Sequence, residues 1–379
     1  MLRLDRALGD ALEVVPGAVG VVARADQVVY TGAFGRREVG VEEAMTEDTL
    51  FRIASMTKLV TSFAALQLVE QGDVGLDTPV GDVISSFDEL MVIQRFDGDE
   101  PRLRPPKARA SLRHLLTHTA GLAYPTWHPG LFRYHELTGA PVTATGLLAS
   151  FQVPLVADPG TEFDYGTSTD WLGRVIEAVS GQSLDKYFGE HIFEPLGLVD
   201  TTVSPSAEQR ARCAPVHVRD GDGAWVATDS DLAQDPEFWA GGHSLYSTPM
   251  EYLKFQQLLL RGGELDGKRI LRTDTVEQMF ANQIGEIAIR PFESFLPSVS
   301  DTFDLGPGHQ WGFGLLLNSR REVGLRHPGS GGWAGVYNTF FWVDRTRGIT
   351  AAFYTQTLPF YDGKVIGAYR EFERAVYAE

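Results

Sequence analysis

Strand-like segments occupy the two ends of this chain and helix-like segments fill its long middle. Near the start, "GAVGVVARADQVVYTGAFG" holds two β-rich runs around Ala25-Asp26-Gln27, which reads as a hairpin, and "FRIAS" extends the β character. Strand signals return only from Trp311 onward, in "WGFGLLLN", "WAGVYNTFFWVD" and "GITAAFYTQ". Between them come "LRHLLTH", "STDWLGRVIEAVS", "SLDKYFGEHIF" and "PMEYLKFQQLLLRGG", which carry helical periodicity. A sheet joined from both termini with the middle inserted is the simplest arrangement. The expected fold is therefore α/β of the α+β kind: an antiparallel sheet flanked by helices, plus a large mainly helical insert. The expected domains are 1–75 with 300–379 for the sheet and 76–299 for the helical part, with an active site between them.

Both termini add helices. In "MLRLDRALGDALEVV", Leu2, Leu4, Leu8, Ala11 and Leu12 recur every three to four residues. Asp5, Arg6, Asp10 and Glu13 interrupt any apolar core a signal peptide would need. In "KVIGAYREFERAVYAE", Val365, Ile366, Tyr369, Phe372 and Val376 share a face. "FDGDEPRLRPPKARA" reads as a linker-like surface excursion.

The balance of 33 basic against 50 acidic residues gives a formal charge of −17, which repels nucleic acid and anionic membrane surfaces. With Cys213 as the single cysteine, no intramolecular disulfide can form. No CxxC or HExxH occurs, and no apolar run is long enough for a bilayer. The expectation is a soluble cytoplasmic protein with no metal, no cofactor and a small-molecule partner; oligomeric state is not readable.

The segment "FRIASMTKLV" sets Ser55 three residues before Lys58, on one face of a helix start. A buried lysine loses solvation, its pKa falls, and it can share the serine proton. A helix N-terminus adds free N–H groups and positive potential. Roughly one or two Ser-x-x-Lys pairs arise by accident in a chain of this length. Ser183 and Lys186 in "GQSLDKYFGEHIF" are such a pair, with Ser183 read as an N-cap and Lys186 beside Asp185 on a solvated face.

"FRIASMTK", "LRHLLTHTAGLAY", "DPGTEFDYGTSTDWLG", "GGHSLYSTPMEYLKF" and "GGWAGVYNTFFWVD", in that order, resemble the serine β-lactamase-like superfamily. The superfamily has the β-lactamase/transpeptidase-like fold and includes class C β-lactamases and D-alanyl-D-alanine carboxypeptidases. The resemblance is nearest to family VIII carboxylesterases and the related lovastatin-pathway acyltransferase. It implies a catalytic set of Ser55, Lys58 and Tyr165, with Tyr165 taking the serine proton and Lys58 favouring the phenolate or relaying the proton. It implies an oxyanion hole from the backbone N–H groups of Ser55 and Val336, and the triplet Trp333-Ala334-Gly335 in place of Lys-Thr-Gly. "HPG" at His327 to Gly329 is a second match for that triplet, at the wrong distance from "FFWVD".

Two departures bear on substrate. Thr167 stands where the family's Tyr-x-Asn motif has asparagine, which weakens a lactamase reading. Trp333 offers an indole N–H and an apolar face but no charge to read a carboxylate. Tyr124, Trp127 and Phe360 are expected around the acyl pocket, with Gly335 and His243 nearby, and His118 as a structural histidine at a helix end. "GSGGWA" leads into a strand and so fails as a dinucleotide loop, and "RDGDGAW" reads as a hairpin turn. No G-x-S-x-G elbow occurs. The expected function is a serine carboxylesterase acting on small to medium esters through an acyl-enzyme. The alternatives are acyl transfer to an alcohol, weak β-lactamase or peptidase activity, and a non-catalytic binding protein.

Overall fold

The computed structural model describes residues 2–25 and 27–378. Strands β1 (Gly17–Arg24) and β2 (Gln27–Gly35) from the start of the chain meet five strands from its end. These are β3 (His309–Trp311), β4 (Leu316–Asn318), β5 (Gly331–Gly335), β6 (Thr339–Asp344) and β7 (Ile349–Tyr354). Together they form one seven-stranded sheet in the order β3-β4-β5-β6-β7-β1-β2. Every neighbouring pair is antiparallel. The first hairpin pairs Arg24 with Gln27, and Asp26 at its turn lies outside the described residues.

Alternation along the strands sends side chains to two cores. Val19, Val21, Phe341, Ala352 and Tyr354 face one core, and Ala18, Val22, Trp342, Ala351 and Phe353 face the other. The second core is closed by the two terminal helices, α1 (Leu2–Ala11) and α5 (Gly363–Tyr377). They bury Leu4, Leu8 and Ala11 from one helix and Val365, Phe372 and Val376 from the other. A fully buried phenylalanine such as Phe372 contributes roughly 2–3 kcal/mol by area. The first core is closed by α2 (Thr57–Gln71) and α4 (Pro249–Leu260), with α3 (Ser168–Ser180) behind α2.

Helix α2 explains how the site is mounted. It is uncharged between Lys58 and Glu70, and every residue from Thr57 to Leu68 is buried. A helix apolar on all sides can only be a core element. It stops at Gly72, whose φ of 83° gives the left-handed cap.

One sequence expectation changes. "FDGDEPRLR" is not an irregular excursion: Val92–Asp97 and Glu100–Arg104 pair as an antiparallel hairpin. Gly98, with φ 61°, turns it, and Asp97 is held by Arg95 and Arg102, each at 2.8 Å. The high charge of the segment, which suggested a linker, is the paired outer surface of that hairpin. The "RDGDGAW" segment is a hairpin turn in which Asp220 Oδ1 accepts from Asp222 and Ala224 N–H.

Candidate active site

Ser55 sits where strand gives way to helix. Phe51–Arg52 pairs with Tyr246–Ser247, one turn of 3₁₀ helix follows over Ala54–Met56, and α2 begins at Thr57. Ala54 has φ 43°, a left-handed conformation that costs a non-glycine residue about 1–2 kcal/mol. That strained step aims Ser55 outward. In the run from Thr49 to Leu68, Ser55 is the one residue that is not buried.

Lys58 lies beneath it, 1% exposed. Its Nζ donates to Ser55 Oγ at 3.1 Å, to the Tyr124 hydroxyl at 3.1 Å and to the Gly242 carbonyl at 2.9 Å. Burial brings the amine down to about 7, with the Asp170 carboxylate pulling the other way. Relative to a solvated lysine, the ammonium form is disfavoured by roughly 5 kcal/mol. Both protonation forms are therefore populated near pH 7: the ammonium donates to all three oxygens, and the neutral amine has a lone pair free to accept the Ser55 proton.

Tyr165 stands on the other side of Ser55, 6% exposed, with its ring 4.8 Å from Lys58 Nζ. Its hydroxyl accepts from Trp333 Nε1 at 2.8 Å. Burial pushes the phenol well above its ordinary range, opposed by hydrogen bonds from Ser55 and Trp333. His118, in a left-handed turn at φ 56°, packs its ring 4.7 Å from that of Tyr165 and accepts from Gly166 N–H at 3.5 Å. Its partner is thus the Tyr165 loop rather than its own helix end, and burial holds it neutral.

The pocket in front of Ser55 is lined by Trp127, Tyr165, Phe292, Phe303, Trp333 and Phe360, with Ala334 and Val336 at the strand end. Among the described residues, no charged side chain lines it. Gly335 closes the strand against the Ser55 turn, and a Cβ there would fall 2.4 Å from the Ile53 carbonyl oxygen. Among the described residues, neither Ser55 N–H nor Val336 N–H donates to a backbone carbonyl.

The remaining sequence candidates separate clearly. Trp127 and Phe360 line the pocket, whereas Tyr124 touches Lys58 instead. His243 does not reach the pocket; its Nδ1 lies 3.7 Å from Asp170 Oδ1. His327 hydrogen-bonds Asp344 in the turn before β5 and is absent from the pocket lining. Ser183 precedes the helix Leu184–Phe188 but makes no cap bond; Glu177 accepts the Leu184 N–H in its stead. Sequence reasoning missed Asp170, Gly242, Phe292 and Phe303. The double glycine of "AGGHSLYST" and an acid inside the apolar stripe of "STDWLG" were the available signals for the first two.

An antiparallel sheet built from both chain ends, with a Ser-x-x-Lys helix buried against it, defines the β-lactamase/transpeptidase-like class of serine enzymes. The chain belongs to the Beta-lactamase family, whose sequence profile matches residues 4–375. It is 32% identical over 393 aligned positions to monacolin J acid methylbutanoyltransferase of Aspergillus terreus, covering 96% of this chain and 92% of the relative. It is 28% identical to lovastatin esterase of Penicillium rubens, covering 92% of this chain and 90% of the relative. A mutant simvastatin synthase from Aspergillus terreus superposes with a TM-score of 0.86 at 30% identity, covering 100% of this chain and 96% of that one. Among the described residues, no helix is long and apolar enough to cross a membrane, and no group of three or more acidic, histidine or cysteine side chains is arranged to hold a metal.

Proposed function

We propose that this protein transfers an acyl group through an ester on Ser55, from an acyl donor to an alcohol, with water as a competing acceptor. The observation that carries this reading is the buried Lys58 amine held 3.1 Å from Ser55 Oγ. As Oγ attacks the donor carbonyl, neutral Lys58 takes its proton. The free N–H groups of Ser55 and Val336 receive the developing oxyanion. When the bond to the leaving group breaks, Tyr165 gives that group its proton and regains one from the Lys58 ammonium. Burial keeps Tyr165 protonated, so it suits the role of donor, and Lys58 suits that of base. The acceptor alcohol then runs the same steps in reverse order.

The uncharged aromatic pocket favours a neutral acyl chain. Transfer stands ahead of hydrolysis because the 32% identical relative is named a methylbutanoyltransferase. Hydrolysis remains a second reading because the 28% identical relative is named an esterase. The expected sequence order, esterase first, is thus reversed. Trp333, without charge in the triplet on β5, disfavours acyl donors that must be held through their own carboxylate.

The test uses 4-nitrophenyl butyrate with and without an added secondary alcohol. Mass spectrometry should find butyryl on the Ser55 peptide, and the alcohol should raise nitrophenolate release and appear as its butyrate ester. Butyric acid as sole product at every alcohol concentration would replace transfer by hydrolysis. Failure to acylate Ser55 would remove both readings.

A further inference from the structure

We infer that Asp170 is a positioning residue of the catalytic centre: a buried anion that fixes Gly242, and through Gly242 the Lys58 side chain, against Ser55. The inference rests on the reading of Lys58 as the proton acceptor of Ser55.

Asp170 lies in the first turn of α3 and is 0% exposed. Its Oδ1 accepts the Gly242 N–H at 2.9 Å, and the Gly242 carbonyl accepts from Lys58 Nζ at 2.9 Å. One residue therefore carries the carboxylate on one side and the amine on the other. The approach is close enough to dictate sequence. A Cβ on Gly242 would fall 2.9 Å from both Asp170 oxygens, and one on Gly241 would fall 2.4 Å from the Thr169 carbonyl oxygen. Only a Gly-Gly turn can lie this near the start of α3.

The second oxygen, Oδ2, is buried, and the neutral Tyr124 hydroxyl, which accepts from Lys58 Nζ at 3.1 Å, reaches Asp170 without answering its charge. A buried carboxylate left without a counter-charge is costly. Besides Lys58 from α2, four titratable groups face this centre: Tyr124 and His118 from the loop after the helix Leu112–Leu116, Tyr165 from the loop before α3, and His243 from the turn that holds Gly242. The tyrosines are phenols raised by burial, and both histidines are held below their ordinary value by burial. Lys58 is thus the group left to answer the charge of Asp170. The anion favours the ammonium that forms as Ser55 is deprotonated, and the Gly242 link keeps that ammonium within reach of Oγ.

Asp170→Asn isolates the charge, because the carboxamide oxygen can still accept from Gly242. The acid limb of kcat/KM for 4-nitrophenyl butyrate should move about one unit lower, as expected for loss of a nearby opposite charge. kcat should fall ~10-fold with KM within about twofold, less than the ~10²–10⁴ of a lost acid–base group because Lys58 itself stays in place. The pH dependence of Ser55 labelling by a fluorophosphonate should show the same displaced limb. A merely structural aspartate would lower activity at every pH and leave the limb in place, and that result overturns the inference. Gly242→Ala tests the link from the other side and does not depend on the first variant folding. It should cut kcat by a similar ~10-fold factor, since it displaces the base, and wild-type kcat would overturn the inference. If the wild-type protein is not labelled at Ser55 at all, the acyl-transfer reading fails first, and visibly so.

Discussion

Ser55 and Lys58 meet at 3.1 Å under the floor of an aromatic pocket; Ser183 and Lys186, at the same spacing, both lie exposed, the serine just before a five-residue helix and the lysine on it. In the first pair the lysine is 1% exposed and hangs from three oxygens. In the second, no hydrogen bond or ion pair joins the serine to the lysine among the described residues, and Glu177 does the capping that sequence assigned to Ser183. The spacing brings two side chains to one helix face, but burial decides whether the amine loses its proton. Helix α2 supplies that burial because it is uncharged for three turns, whereas the helix at Leu184 has Asp185 next to its lysine.

The widest gap between the two turns should appear on removing the hydroxyls. Ser55→Ala is expected to lower turnover of 4-nitrophenyl butyrate by ~10⁴ or more, to the background of the reagent, because no other group can carry the acyl chain. Ser183→Ala should leave the rate within about twofold and the stability within about 0.5 kcal/mol, as for an exposed side chain without a special contact. A Ser55→Ala protein with most of its activity would erase the distinction.

A smaller effect separates the groups around Ser55. Tyr165→Phe keeps the ring among His118, Trp127 and Trp333 and removes the hydroxyl that accepts from Trp333. The loss expected for a proton donor is ~10²-fold in kcat. A rate within threefold of wild type would restrict Tyr165 to packing and leave Lys58 to move both protons.

How much of this was visible in the sequence follows from what each residue needs. β-branched and aromatic runs at both chain ends marked the sheet, because strands buried on both faces read as continuous apolar runs rather than alternating ones. Ser55 and Lys58 were legible because an uncharged helix tolerates a lysine only for a reason. Tyr165 and Trp333 were legible only through family resemblance; neither spacing nor composition brings residues 168 positions apart together. Asp170 was hidden because an acid in the first turn of a helix is ordinarily explained by the helix dipole. Phe292 and Phe303 were hidden for a different reason. They come from a stretch without periodicity, where side-chain direction is set by tertiary contacts such as their own stacked rings at 4.5 Å.

The comparison sharpens most finely in pH. An exposed lysine titrates near 10.4 and would stay charged through any practical assay. Lys58, which burial brings down to about 7, changes state within it. The base must be neutral, so activity is lost as pH falls through about 7 and is retained above it. From pH 8 to pH 6 the neutral fraction drops from about nine-tenths to about one-tenth, which sets an expected ~10-fold fall in kcat/KM. Rates read at the isosbestic wavelength of nitrophenol give the limb directly, and Ser183→Ala should trace the same curve. A flat profile across that interval would mean that Lys58 keeps its proton despite its burial. The 3.1 Å contact with Ser55 would then be that of a charged donor, with the base elsewhere.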